Sequence, residues 1–389
     1  MSFLSPTFFS MLSFLTARLH RPMHTLNALL IHKDALLHNY SILKTLQPGA
    51  DIFPVLKSNA YGHGLKQVST ILKESDAPLL CVDSFPEYQL VKQYSGKKVL
   101  VMGETLPENY KQYNPWSASL AVYTLETLKA LVSLWRPFRI HLFLNTGMNR
   151  EGVQEDQLPT LLALLHRSRF LMLEWVMSHF AMADEIDATY NDYQVTVFKR
   201  MYQQIVAAGF SPKRRHMCNS GGIAKVHDEL FTACRSGLAF YGYSPLSSDD
   251  ASSGSFMDLR PALTVQTTVI SLQQVAENEL VSYAGTFRAQ RPTVTATLPF
   301  GYYEGLRRAL SNQWSVERNG HLLPQVGNIC MNLCSIDTHG FPVAVGDTIT
   351  VVSPDPDAQN SIAAFAHHCQ TIPYEVLVKF TEKSRRTIV

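Results

Sequence analysis

Charge is scarce in this 389-residue sequence. Only 17% of residues are charged, and 34 basic residues nearly cancel 32 acidic ones. A net charge of +2 offers no basic excess for a nucleic-acid backbone or an anionic membrane surface. Cysteines are few, at 81, 218, 234, 330, 334 and 369, with no CxxC pair and no zinc-like spacing. That pattern reads as reduced thiols in a cytoplasmic protein. His367, His368 and Cys369 adjoin one another on a predicted helix, where neighbours point in different directions, so no metal site is expected there. No repeat recurs at a fixed period. With 46% hydrophobic residues the chain is not disordered. Its length suits two domains, and it can bury roughly three quarters of its unfolded surface without disulfides.

The apolar run over residues 3–16, FLSPTFFSMLSFLT, has no basic residue before it, and Arg18 and Arg21 follow it. A secretory signal carries its charge first, and a membrane helix needs roughly 20 apolar residues. Residues 1–22 therefore read as an amino-terminal extension or as upstream of a later start, with Met23 the alternative first residue.

From about residue 25 to 240, helix-like runs such as HKDALLHNYSILKTL and LPTLLALLHRSR alternate with short apolar runs such as KKVLVMG, FRIHLFLNTG and LEWVMSHFA. About eight such β–α units predict a parallel sheet covered by helices, either a closed (β/α)8 TIM-like barrel or a doubly wound sheet. The barrel suits the length better. A Ser/Asp/Gly-rich stretch at 244–256 reads as a linker. Beyond it, β-branched, often alternating runs broken by turn residues predict a mostly antiparallel β domain. The expected domains are 23–256 and 257–389.

Lys57 ends the apolar run FPVLK and precedes SNAYGHG. The carboxyl end of an early barrel strand is where barrel enzymes place their chemistry. A partly buried lysine also loses its charge readily, which suits covalent bonding to a carbonyl. Asn219-Ser220-Gly221-Gly222 fits an ordinary turn into a helix and equally a phosphate-binding helix start.

The segment PVLKSNAYGHG closely resembles the cofactor-lysine motif of alanine racemases, which use pyridoxal 5′-phosphate (PLP). The resemblance recurs in order along the chain from about residue 21: SHFAMADE (178–185), HMCNSGG (216–222), CRSGLAFYG (234–242), VSYAGTF (281–287), FGYYEG (300–305), VGNICMN (326–332) and TIPYEVL (371–377). It implies that Lys57 carries PLP as a Schiff base and is the acid/base on the D-alanine face, with Tyr283 serving the L-alanine face. It assigns Arg150 to a place beside the tyrosine and the cofactor oxygen. Arg235 falls at the pyridine nitrogen, and His179 links Arg235 to the tyrosine. Tyr61, Asn219, Ser220, Gly237 and Tyr374 fall at cofactor contacts, and Arg150, Tyr302 and Met331 at the substrate. A phenol ionises near pH 10 unless a cation stabilises its anion, which Arg150 would supply. The resemblance also implies a homodimer in which Tyr283, Tyr302 and Met331 complete the other subunit's site.

Four positions depart from the pattern. Phe143 stands where the family usually has a lysine, often carbamylated, that fixes the arginine. Asn145 replaces an Asp, Asn149 a Gly, and Asn332 an Asp. Negative charge is thus lost around a retained Arg150. Either Arg150 is less tightly anchored, or another group or a chloride ion restores the anchoring. The resulting expectation is an alanine racemase supplying D-alanine for peptidoglycan. The alternatives are a racemase of other or broader amino-acid range, a PLP decarboxylase of the same architecture, and a degenerate PLP-binding paralogue.

Overall fold

The computed structural model of the protein describes residues 25–103 and 106–389. The extension expected over 1–22 lies outside the described residues.

After a first strand, β1 (Ala28–Ile31), eight strands run parallel to one another. They are β2 (Asp51–Pro54), β3 (Leu80–Val82), β4 (Val99–Val101), β5 (Ala118–Val122), β6 (Arg139–Phe143), β7 (Met172–Met177), β8 (Arg214–His216) and β9 (Ala233–Ser236). Each pairs with the next from β3 to β9, and β9 pairs with β2. The parallel bridge Val55–Cys81 joins β2 to β3 and completes the ring. Closure settles the choice in favour of the (β/α)8 barrel. Strands β3, β4 and β5 are buried at every position, which is why they read as unbroken apolar runs. The outer helices bury one stripe each. In Leu158–Arg167 the stripe is Leu158, Leu161, Leu162 and Leu165, spaced for one helical face.

The second unit holds β10 (Leu263–Thr268), β11 (Ser271–Val275), β12 (Leu280–Val281), β13 (Phe287–Arg288) and β14 (Thr293–Leu298). It continues with β15 (Ser315–Arg318), β16 (His321–Val326), β17 (Cys334–Asp337), β18 (Thr348–Val352) and β19 (Arg385–Ile388). Nine strands form one mostly antiparallel sheet, in the order β11-β14-β17-β16-β15-β18-β10-β1-β19. Strand β1 thus belongs to this sheet, antiparallel to β10 and parallel to β19. Strands β12 and β13 form a separate ribbon whose connecting turn carries Tyr283. The Ser/Asp/Gly-rich stretch is packed down, with Leu246 and Phe256 buried. No described helix is long and apolar enough to cross a membrane.

Candidate active site

The segment after β2 is a left-handed turn. Ser58, Asn59, Ala60 and Tyr61 all have φ between 51° and 56°. Residues with a side chain lose roughly 1–2 kcal/mol each in that conformation, so surrounding bonds must hold it. The backbone N–H of Ser58 donates to Glu87 Oε1 at 2.7 Å, and that of Leu65 donates to Asn59 Oδ1 at 2.7 Å. Gly62 is required here, because a Cβ would lie 1.9 Å from the carbonyl oxygen of Leu377. The turn aims both Lys57 and Tyr61 into one cavity of about 880 Å³.

The same cavity is lined by Asn219, Ser220, Gly237 and Tyr374. Asn219 caps the helix Ser220–Lys225, its side chain accepting from Gly222 N at 2.9 Å. Ser220 Oγ accepts from the amides of Gly237 (3.1 Å) and Ala239 (3.2 Å). With both lone pairs engaged, its hydroxyl proton is left to donate. Gly237 must be glycine, since a Cβ would stand 2.3 Å from the Tyr61 hydroxyl. Burial raises the pKa of both Tyr61 and Tyr374, the latter to about 12, so both phenols stay protonated donors. These hydroxyls form a neutral, donor-rich cradle.

Arg235 and His179 line the cavity too. Arg235 is buried, and its Nη1 donates to His216 Nδ1 and to His216 O. Its Nη2 donates to Ser178 O at 2.6 Å and to His179 Nδ1 at 3.0 Å. Every hydrogen bond of this guanidinium within the described residues uses Nη1 or Nη2, so Nε is the N–H left without a partner among them. His216 passes the chain on, its Nε2 lying 2.9 Å from His141 Nδ1. Burial, then the Arg235 charge, holds His141, His179 and His216 well below their ordinary pKa. Neutral rings fit, because an arginine only donates.

Arg150 lines the cavity beside Glu151, its Nη2 donating to Glu151 Oε1 at 2.6 Å and its Nε to Oε2. Phe143 is buried edge-on to Tyr123. Asn145 Oδ1 accepts from the amides of Gly147 and Asn149, both at 3.1 Å, and its Nδ2 donates to Asn149 Oδ1 at 2.8 Å. Asn149 has φ 56°, a region that Asn tolerates better than most residues with side chains. Asn332 Nδ2 donates to Glu304 Oε1 at 2.9 Å.

Tyr283, Tyr302 and Met331 stand apart. None lines the Lys57 cavity of this chain. They share an exposed surface: the Tyr302 amide donates to Cys330 O and the Tyr303 amide to Met331 O, while Ser282 Oγ donates to Asn328 O. Tyr283 is 74% exposed and Met331 55%. Sequence reasoning missed His141, His216, Asp83 and Glu151. The histidines, on β6 and β8, meet across β7, whereas Glu151 sat in plain view beside Arg150.

Two family models match the chain: "Alanine racemase, N-terminal domain" over residues 31–245 and "Alanine racemase, C-terminal domain" over 262–388. The alanine racemase of Geobacillus kaustophilus is 33% identical over 352 residues, covering 89% of this chain and 90% of that one. That of Desulfosudis oleivorans is 31% identical over 373 residues, covering 92% and 95%. Among solved structures, the alanine racemase of Bacillus anthracis with bound L-Ala-P superposes with a TM-score of 0.86 at 29% identity, covering 95% and 96% of the two chains.

Proposed function

The chain belongs to the alanine racemase family, and on that footing we propose how its own residues perform the reaction. The activity is interconversion of L-alanine and D-alanine. PLP, when bound, delocalises the charge left at Cα when the α-proton is removed. The donor set fits that group. Neutral Tyr61 and Tyr374 phenols and the Ser220 hydroxyl suit a phosphate, and Gly237 keeps the cradle open. Asn219 shapes the cradle by capping the helix that begins at Ser220. Arg235 Nε suits the pyridine nitrogen. A guanidinium there holds its own proton, which leaves that nitrogen unprotonated and tempers side reactions.

Lys57 Nζ removes or returns the α-proton on the D-alanine face. Tyr283 Oη of a second copy does so on the L-alanine face. His179 accepts from Arg235 at Nδ1, so its proton sits on Nε2, where it can donate to that phenol oxygen. Arg150 places positive charge beside the same oxygen and meets the substrate carboxylate. Tyr302 and Met331 of the second copy close the substrate end.

A homodimer follows from this division of labour. Leu280, Tyr283, Tyr302, Met331 and Leu333 are each more than 40% exposed, and clustered apolar exposure marks an interaction surface. We assign residues 23–256 to cofactor binding, except β1, which joins the sheet of the β domain at 257–389, assign 1–22 to an extension, and place the enzyme in the cytoplasm, feeding D-alanine to peptidoglycan.

The observation that carries this reading is the convergence of Lys57, Ser220, His179 and Arg235 on one cavity that lacks Tyr283. Borohydride reduction followed by peptide mapping should label Lys57. Mixing inactive Lys57→Ala and Tyr283→Phe subunits should restore alanine racemisation, since a hybrid dimer keeps one intact site. Label elsewhere, or no complementation after subunit exchange, contradicts the assignment.

A further inference from the structure

The departures at Phe143, Asn145 and Asn332 strip negative charge from around Arg150, yet Arg150 is not left without an anion. Resting on the racemase reading, we propose that Glu151 is the positioning residue for Arg150, taking over the anchoring that the family's lysine provides. The two side chains meet fork to fork: Arg150 Nε and Nη2 donate to the two carboxylate oxygens of Glu151. That leaves Nη1 to meet the substrate carboxylate.

Adjacent residues seldom point the same way, so the loop must be bent to allow this. Gly147 (φ 131°), Asn149 (φ 56°) and Gly152 (φ 116°) supply the bends. The bridge Leu144–Val153 clasps the loop, with Asn145 N donating to Val153 O at 3.0 Å and Val153 N to Phe143 O at 2.8 Å. Gly152 packs against Phe143, where a Cβ would come within 2.8 Å of a ring carbon. Phe143 therefore backs the loop at Gly152, and Phe143, Arg150 and Glu151 all line the cavity. Asp83, also on that cavity, adds a second negative charge that acts on Arg150.

An exposed pair of this kind contributes little to folding. Its value lies in orientation: bidentate pairing fixes the plane of a long, otherwise mobile guanidinium. Once cofactor and second subunit cover the cavity, the lower effective dielectric strengthens the pair.

The test uses the holoenzyme with Glu151→Gln and Glu151→Asp. The expected result is a KM for alanine raised about tenfold in E151Q, with near-parental KM in E151D, at unchanged melting temperature. Propionate, a carboxylate without an amino group, should bind E151Q about tenfold more weakly by calorimetry. Unchanged or tighter alanine and propionate binding in E151Q overturns the proposal. So does a raised KM that E151D fails to restore. A parent enzyme that binds propionate but does not racemise alanine overturns the racemase reading instead, independently of Glu151.

Discussion

Nη2 of Arg235 donates to Nδ1 of His179 at 3.0 Å, and this bond decides which proton His179 can offer. The ring accepts on one side, stays neutral because burial and the Arg235, Arg150 and Lys57 charges disfavour a second proton, and donates from Nε2. His179→Phe should keep the fold and the cofactor yet cut kcat about 10- to 100-fold, the usual range for a lost proton-handling group. The acid limb of kcat/KM against pH should not move, since a ring held neutral does not titrate there. A limb that shifts with this substitution would reassign the ring as the titrating group.

Gly237→Ala should weaken PLP binding by at least about tenfold, because the new methyl would occupy the place of the Tyr61 hydroxyl. Ser220→Ala should do the same by removing the acceptor for two amides and one outward donor, a loss of about 1–3 kcal/mol. Reconstitution of apoenzyme followed by absorbance gives both constants. Parental affinity in either variant contradicts the phosphate cradle.

Tyr283→Phe should abolish α-proton exchange of L-alanine with solvent while D-alanine still exchanges through Lys57. Proton NMR in deuterium oxide reads both. Equal loss on both enantiomers would mean that Tyr283 does not serve one face.

His63, His141 and His216 are fully buried, and burial pushes each pKa down, His63 to about 4. The folded state takes up fewer protons than the unfolded one below pH 6.5. Stability is therefore complete above that pH and falls as pH drops toward the folded-state values, by about 1.4 kcal/mol per pH unit for each ring. Denaturant melts from pH 7 to 5 should show the fall, and His63→Asn should make it shallower.

Much of this was readable in one dimension. Lys57, Ser220 and Arg235 sit in runs whose composition reflects local demands: an apolar strand, a capped helix start, a glycine against a phenol. What escaped reading depends on contacts across the ring. His141 on β6 and His216 on β8 meet across the intervening β7, and no spacing announces that. The left-handed turn after β2 was hidden because only Asn59 of its four residues tolerates that region well, while Ser, Ala and Tyr do not favour it; the bonds from Ser58 and Leu65 impose it. Glu151 was overlooked for another reason: adjacent residues are expected to diverge, and only the folded loop turns both inward.

Strand β1 lies between β10 and β19, with Ala28 opposite Gln266 on one side and Arg385 on the other. A ribosome delivers β1 early and its partners late. All eight barrel strands are synthesised before either neighbour of β1, so the nascent barrel carries at its amino end an apolar ribbon, Ala-Leu-Leu-Ile, with both edges bare. During that interval the ribbon is a target for chaperones and for the same ribbon on a neighbouring polysome chain. Translation order therefore sets a period of vulnerability that ends only when β19 has been made.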